Sequence, residues 1–364
     1  MDIPRQGSVL DNMRIPSADA QLRFISGIQK ILDEGSFVAT YKFALLMALA
    51  DFAVQSGLNG NDPEQLSAID LAESFICSYW RQARPYSHAQ TDDGMLLKMS
   101  SDKQPVVFSR IAELREKYSG HLADLRNSTG DWQRLKREAA NTIARMPLWK
   151  LQVVGRTPVI LLYHQDGQGY QGDRITLMPG VLSCLRLHHE LVRSLVQGAW
   201  LRHVRRLNTA ILQERDLDVF LFDSERSAWP SGLRTILRDV QKGACLYCGG
   251  VIRDAGDIDH FIPWARYPLE MGHNFVLAHA ACNRSKSDLL ASPRHLDRWH
   301  SRNIQNSDAM RQAFEESSIL HDYDTTMRVV GWAYGQASSN GGQLWDSRNS
   351  FVTADNSWHQ ILTC

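Results

Sequence analysis

Residues 244–300 read ACLYCGGVIRDAGDIDHFIPWARYPLEMGHNFVLAHAACNRSKSDLLASPRHLDRWH, and this stretch decides the fold. Cys245 and Cys248 form a CxxC knuckle followed by Gly249-Gly250, where the backbone can turn tightly around a metal. Farther on, His279 and Cys282 repeat the same two-residue gap. Two such pairs supply four soft or borderline ligands, enough for a tetrahedral Zn²⁺ with no open position. A closed site is structural: its binding energy holds together a segment too short to bury much core of its own. A redox reading of CxxC would require the motif to open a helix after a strand, and here a second ligand pair follows instead.

Between the two halves lies Asp259-His260-Phe261-Ile262-Pro263, whose apolar residues predict a strand closed by Pro263. Asn274-Phe275-Val276-Leu277 predicts a second strand, and residues 280–290 a helix. The order strand, strand, helix brings Asp259, His260, Asn274 and Asn283 to the positions where the three elements converge. That set suffices for cutting a phosphodiester. Asp259 offers a hard carboxylate and Asn283 an amide oxygen, both suited to Mg²⁺ or Mn²⁺. Neutral imidazole at His260 can take a proton from water near physiological pH. No covalent intermediate is needed.

At these residues the segment resembles the HNH endonucleases, in the subgroup whose ββα-metal core is braced by a zinc knuckle. The resemblance is carried by the CxxC pair, the Asp259-His260 dipeptide, Asn274 and the Cys282-Asn283 dipeptide, in order. DHFIPWARYP and CNRSKSD are typical of a prokaryotic subset. The resemblance implies that His260 is the general base and that Asp259 and Asn283 bind the catalytic cation. It also implies that Asn274 fixes the loop bearing the base, and that duplex DNA is cut to leave a 5′-phosphate. Two positions depart from the pattern: Asn283 stands where histidine is frequent, and His279 where cysteine is usual. Members of this kind often act in restriction or phage-defence systems alongside other subunits. The competing reading is a catalytically silent, zinc-stabilised binding or scaffolding subunit of a larger assembly.

Basic residues surround the segment: Arg266, Arg284, Lys286, Arg294, Arg298 and Arg302. Arg266, Arg284 and Lys286 are the candidates for holding a nucleic-acid backbone, since phosphate contacts supply most sequence-independent affinity. Trp264 and Tyr267 either stack on bases or pack beside the core. Such patches must act locally, because 40 basic residues balance 40 acidic ones over 364 residues. Hydrophobic residues at 43% and charged residues at 22% exclude wholesale disorder, collagen-like repeats and coiled coil. The longest apolar run, Phe43 to Val54, is interrupted by Asp51 and is too short to span a bilayer. The first residues, MDIPRQGSVLDNMRIP, lack the apolar core of a secretory signal, so a cytoplasmic location is expected. Of the six cysteines, Cys77 and Cys184 sit in apolar contexts and are expected as core side chains.

The expected fold class is α+β, predominantly helical, in four parts. Residues 1–150 read as a helical regulatory or interaction domain, with helices over 24–35, 38–55, 63–81, 107–118 and 131–146. Residues 151–225 read as a β-hairpin, turned by the glycine-rich segment 166–172, plus one long helix over 181–206. The tail of that helix, with Arg202, His203, Arg205 and Arg206, is either a solvated end favoured by the helix dipole or a phosphate-contacting surface. Residues 226–303 form the nuclease domain, opened by a helix over 232–241. Residues 304–364 form a helical extension with a polar loop at 338–342.

Overall fold

The computed structural model describes residues 15–58, 64–86, 95–155, 157–158, 161–165, 172–209, 217–222 and 229–363. The N-terminal stretch to Arg14, most of the glycine-rich turn and Cys364 lie outside the described residues. The chain divides into two compact units, one within residues 11–227 and one of residues 228–364 with the short stretch 55–57.

In the first unit the helices are α1 (Ala18–Glu34), α2 (Tyr41–Gln55), α3 (Ala68–Trp80), α4 (Val106–Lys117), α5 (Leu122–Asn127), α6 (Thr129–Arg145), α7 (Pro147–Lys150), α8 (Val181–Leu187), α9 (His189–Leu207) and α10 (Leu217–Phe222). The strands are β1 (Gln65–Ser67), β2 (Val153–Val154), β3 (Thr157–Pro158), β4 (Tyr163–Gln165) and β5 (Arg174–Leu177). Helix α2 is apolar around most of its circumference and is accordingly the buried centre, with Phe43 through Ala50 all inside. One hydrophobic core runs from Phe24 to Leu221, so the segments expected as 1–150 and 151–225 fold together. The physical reason is β1, which the helical reading of 63–81 absorbed: it pairs antiparallel with β5, in a sheet of order β1-β5-β4. Helix α3 starts only at Ala68, where the Ser67 amide donates to the Asp70 carboxylate at 2.7 Å, a capping contact.

The helix expected over 181–206 breaks at His188. There His188 Nε2 donates to Gln21 Oε1 at 3.1 Å, and His189 Nε2 meets Asp51 Oδ1 at 3.1 Å. Arg202, Arg205 and Arg206 are exposed at the end of α9, whereas His203 is buried. Cys184 is buried as expected, and Cys77 is half-buried, its Sγ 3.2 Å from Arg126 Nη2.

The second unit contains α11 (Leu233–Val240), β6 (Asp257–His260), a 3-10 turn (Gly272–Asn274), β7 (Phe275–Ala278), α12 (Ala280–Lys286), α13 (Pro293–Gln305), α14 (Ser307–Glu316), α15 (Tyr323–Ser339), β8 (Gln343–Ser347), β9 (Ser350–Thr353) and α16 (Ser357–Thr363). Strands β6 and β7 pair antiparallel, with Asp259 opposite Val276 and His260 opposite Phe275. Helix α12 follows and stops at Lys286, short of the expected residue 290, because Ser287 takes a left-handed φ of 49°.

The extension expected as a separate 304–364 part belongs to this unit. Hairpin β8–β9, which the polar loop at 338–342 did not predict, hydrogen-bonds directly to the segment after α12. Trp345 N donates to Leu290 O at 2.8 Å and Ser292 N to Trp345 O at 2.7 Å. The Trp345 indole also donates to Ser285 Oγ at 3.0 Å. Beneath, Phe261 stacks on Trp299 with centroids 5.0 Å apart. Gly272 lies so close to Phe314 that a Cβ there would fall 2.6 Å from the ring, so only glycine fits without a shift.

Two buried histidines give this architecture an acid limit. Burial, helped by Arg206, lowers the pKa of His203 to about 4. Burial, helped by Arg302, does the same for His273. An unfolded histidine titrates near 6.5, so between about pH 6.5 and 4 the unfolded chain binds more protons than the folded one. Stability is therefore full above pH 6.5 and falls as pH drops toward 4, by about 3 kcal/mol for each histidine. Denaturant midpoints measured from pH 7.5 to 4.5 should fall steadily below 6.5; a flat profile would contradict the buried neutral state.

Candidate active site

The four knuckle residues converge. Ligand atoms of Cys245, Cys248, His279 and Cys282 all lie within 4.8 Å of one another, so the quartet can hold a metal ion. The knuckle forms because Cys245 N donates to Gly250 O and Gly249 N to Cys245 O, both at 2.9 Å, with Gly249 at a φ of 71°. His279 presents Nδ1 to Cys248 Sγ at 3.2 Å, while its Nε2 lies 3.2 Å from Val251 O. A carbonyl partner on the outer nitrogen fixes the tautomer and frees the inner one for a cation, as is usual for metal-bound histidine. Three thiols and an imidazole fit a tetrahedral borderline-soft ion.

On β6, Asp259 is fixed from two sides. Tyr247, one of the two residues between the knuckle cysteines, donates its hydroxyl to Asp259 Oδ2 at 2.6 Å. Lys286 Nζ lies 3.1 Å from the same oxygen and donates to His260 O at 3.0 Å. Lys286 is fully buried, so it does not present its charge to a substrate as expected. It follows Cys282 by one helical turn, which turns it toward β6 rather than solvent.

Asn283 is held by a residue the sequence reading did not single out: its Nδ2 donates to Asp257 Oδ2 at 3.2 Å. The alternation Asp-Ile-Asp was the available signal, since residues two apart on a strand share a face. Asn283 thus meets β6 two residues from Asp259.

His260, the next residue, ends β6. Its ring lies 5.2 Å from Trp229, 5.5 Å from Trp264 and 5.1 Å from Phe275, between centroids. Nε2 is out of solvent and has no hydrogen-bond partner among the described residues. Burial, with Lys286 adding to it, lowers the imidazole's pKa to about 4. The base candidate is therefore neutral at any physiological pH, and capped by Trp229, itself 37% exposed.

Asn274, completely buried, spans the loop after β6. Its Oδ1 accepts from Ile262 N at 2.8 Å, and its Nδ2 donates to Ile262 O at 3.2 Å and Leu269 O at 3.1 Å. Asn274→Ala should strand three buried backbone groups and cost about 2–4 kcal/mol. Thermal melting checks this; a loss below about 1 kcal/mol would mean that the loop is held by other contacts.

The surrounding cations divide in two. Arg266 and Arg284 are exposed. Arg302 is buried, donating to Phe275 O at 2.8 Å and His273 O at 2.9 Å, and burial lowers its pKa to about 9. Arg298 donates to Tyr247 O, and Arg294 pairs with Asp346 at 2.7 Å. These three therefore serve the scaffold. Tyr267 is likewise buried, its ring 5.7 Å from Trp332, which makes it packing. Gln241, also unforeseen, clamps α11 to β7: its amide donates to Leu277 O at 2.8 Å and accepts from Leu277 N at 2.9 Å.

Residues 245–292 match the family described as HNH endonuclease. That segment is thus similar to the HNH endonucleases, and it lies in an α+β unit that also holds the Cys3His cluster. No curated protein and no solved structure matches the chain. Among the described residues no helix is long and apolar enough to cross a membrane.

Proposed function

We propose that this chain is a metal-dependent endonuclease that hydrolyses phosphodiester bonds of duplex DNA, with a structural Zn²⁺ in the Cys245, Cys248, His279, Cys282 quartet. The observation that carries the reading is the placement, on adjacent residues of β6, of a carboxylate fixed by two donors and an imidazole kept neutral. Asp259 and Asn283 would hold the catalytic cation, Mg²⁺ or Mn²⁺. When bound, such an ion neutralises charge on the attacked phosphate and on the leaving oxygen.

The chain's own residues supply the rest. Asp257 holds the Asn283 amide by its NH₂ and leaves the amide oxygen to face a cation. Asn274 keeps the loop after the base in place. His260 takes the proton of the attacking water at Nε2, which requires Trp229 to give way when DNA docks, because that nitrogen is otherwise sealed from solvent. Arg284, exposed on α12, and Arg266 hold the substrate backbone through its phosphates. Action in a phage-defence or restriction system, in the cytoplasm and with further subunits, completes the proposal.

Nicking of supercoiled plasmid in Mg²⁺ or Mn²⁺ tests it. Conversion to open circle by wild type, absent in Asp259→Ala, is the expected result. Identical background for both proteins under every metal supports instead a silent binding subunit, a reading that the covered Nε2 of His260 favours.

A further inference from the structure

Tyr247 lies between two ligands of the Cys3His quartet and yet reaches out of it. Its ring is almost fully buried, wedged edge-on against Trp345 at 5.2 Å and His295 at 5.5 Å between centroids. Its carbonyl accepts from Arg298, and the Lys286 ammonium sits 5.8 Å from its ring centre. The side chain therefore has one position, and that position sets the hydroxyl 2.6 Å from Asp259 Oδ2. Such a length is that of a charge-assisted bond.

A carboxylate's terminal torsion is broad and soft, so donors rather than rotamer preference decide which oxygen faces where. Both donors to Asp259, Tyr247 and Lys286, meet Oδ2, and no described residue donates to Oδ1. Oδ1 is thereby the oxygen left for a cation.

We propose that Tyr247 is a positioning residue that aims the Asp259 carboxylate, so that the structural metal site sets the geometry of the catalytic one. The inference rests on the reading of Asp259 as a ligand of the catalytic cation. Because Tyr247 sits within the CxxC, any ion that shapes the knuckle also fixes where this hydroxyl points. The two metal sites are then coupled through one side chain and one hydrogen bond. Groups that orient metal ligands typically change affinity or activity by about 10–100-fold when removed.

The test compares wild type, Tyr247→Phe and Asp259→Ala as full-length, zinc-loaded proteins without DNA, titrating Mn²⁺ and following free Mn²⁺ by electron paramagnetic resonance. Tyr247→Phe should keep its zinc stoichiometry and weaken Mn²⁺ binding by about tenfold. Its nicking rate should be depressed at limiting Mn²⁺ and recover at high Mn²⁺. Loss of Mn²⁺ binding in Asp259→Ala with unchanged affinity in Tyr247→Phe would overturn the positioning role while leaving the ligand assignment standing. Unchanged affinity in Asp259→Ala would overturn both. A second measurement needs no substitution: in wild type carrying 3-fluorotyrosine, the Tyr247 fluorine resonance should shift as Mg²⁺ is added, and a fixed resonance would overturn the coupling.

Discussion

His260→Ala is expected to lower plasmid nicking by about 10²–10⁴-fold, the range a positioned general base contributes. The fold should survive. Among the described residues the lost Nε2 has no hydrogen-bond partner, so none of them is stranded. What remains is a cavity among Trp229, Trp264 and Phe275, worth about 2–4 kcal/mol. Zinc content and the far-ultraviolet circular dichroism spectrum should match wild type. A variant that folds, keeps its zinc and nicks within a factor of about three of wild type would remove His260 from the proton transfer.

Cys245→Ser is expected to act on the fold first and on cleavage only as a consequence. Cys245 is buried, and besides its thiol it anchors the knuckle through Cys245 N to Gly250 O. Serine is a poor ligand for a borderline-soft ion, and structural zinc sites contribute folding energy outright. Losing the ion releases Tyr247 from Asp259 and His279 from Val251 together, a loss of more than about 4 kcal/mol. The rest of residues 228–364 keeps an apolar centre in Phe261, Trp299, Phe314 and Tyr334. Exchange of amide hydrogens should therefore speed up most over 243–283, with α13 and α15 better protected. Zinc bound at wild-type stoichiometry with unchanged exchange in this stretch would refute the ligand assignment.

The contrast between local and long-range information explains which features were legible in the sequence. The Cys3His quartet could be read because two CxxC-like gaps specify ligand spacing within one turn of chain. The strand, strand, helix order could be read because β6 and β7 carry short apolar runs bounded by Pro263 and by the 3-10 turn at Asn274. Lys286 and Arg302 misled for a single reason: a cation in a sequence looks solvated, and only coordinates reveal the carboxylate or carbonyls that make burial tolerable. Nothing in the chain order announces the bond from Tyr247 to Asp259. Strand β1 was lost inside a helical pattern because three residues carry too little periodicity, and its partner β5 lies far along the chain. The tie between Trp345 and Ser285 is likewise non-local, which is why the sequence reads 304–364 as a helical extension with a loop at 338–342 and shows no hairpin there.

The central claim is that a hard cation sits against Asp259 and Asn283 while a different ion occupies the thiol quartet. Anomalous diffraction from crystals of the zinc-loaded protein soaked in Mn²⁺, recorded at the manganese and zinc edges, tests it directly. A manganese peak is expected within about 2.0–2.4 Å of an Asp259 oxygen and the Asn283 amide oxygen, and a zinc peak among Cys245, Cys248, His279 and Cys282. Manganese absent from β6, or present only at the quartet, would contradict it.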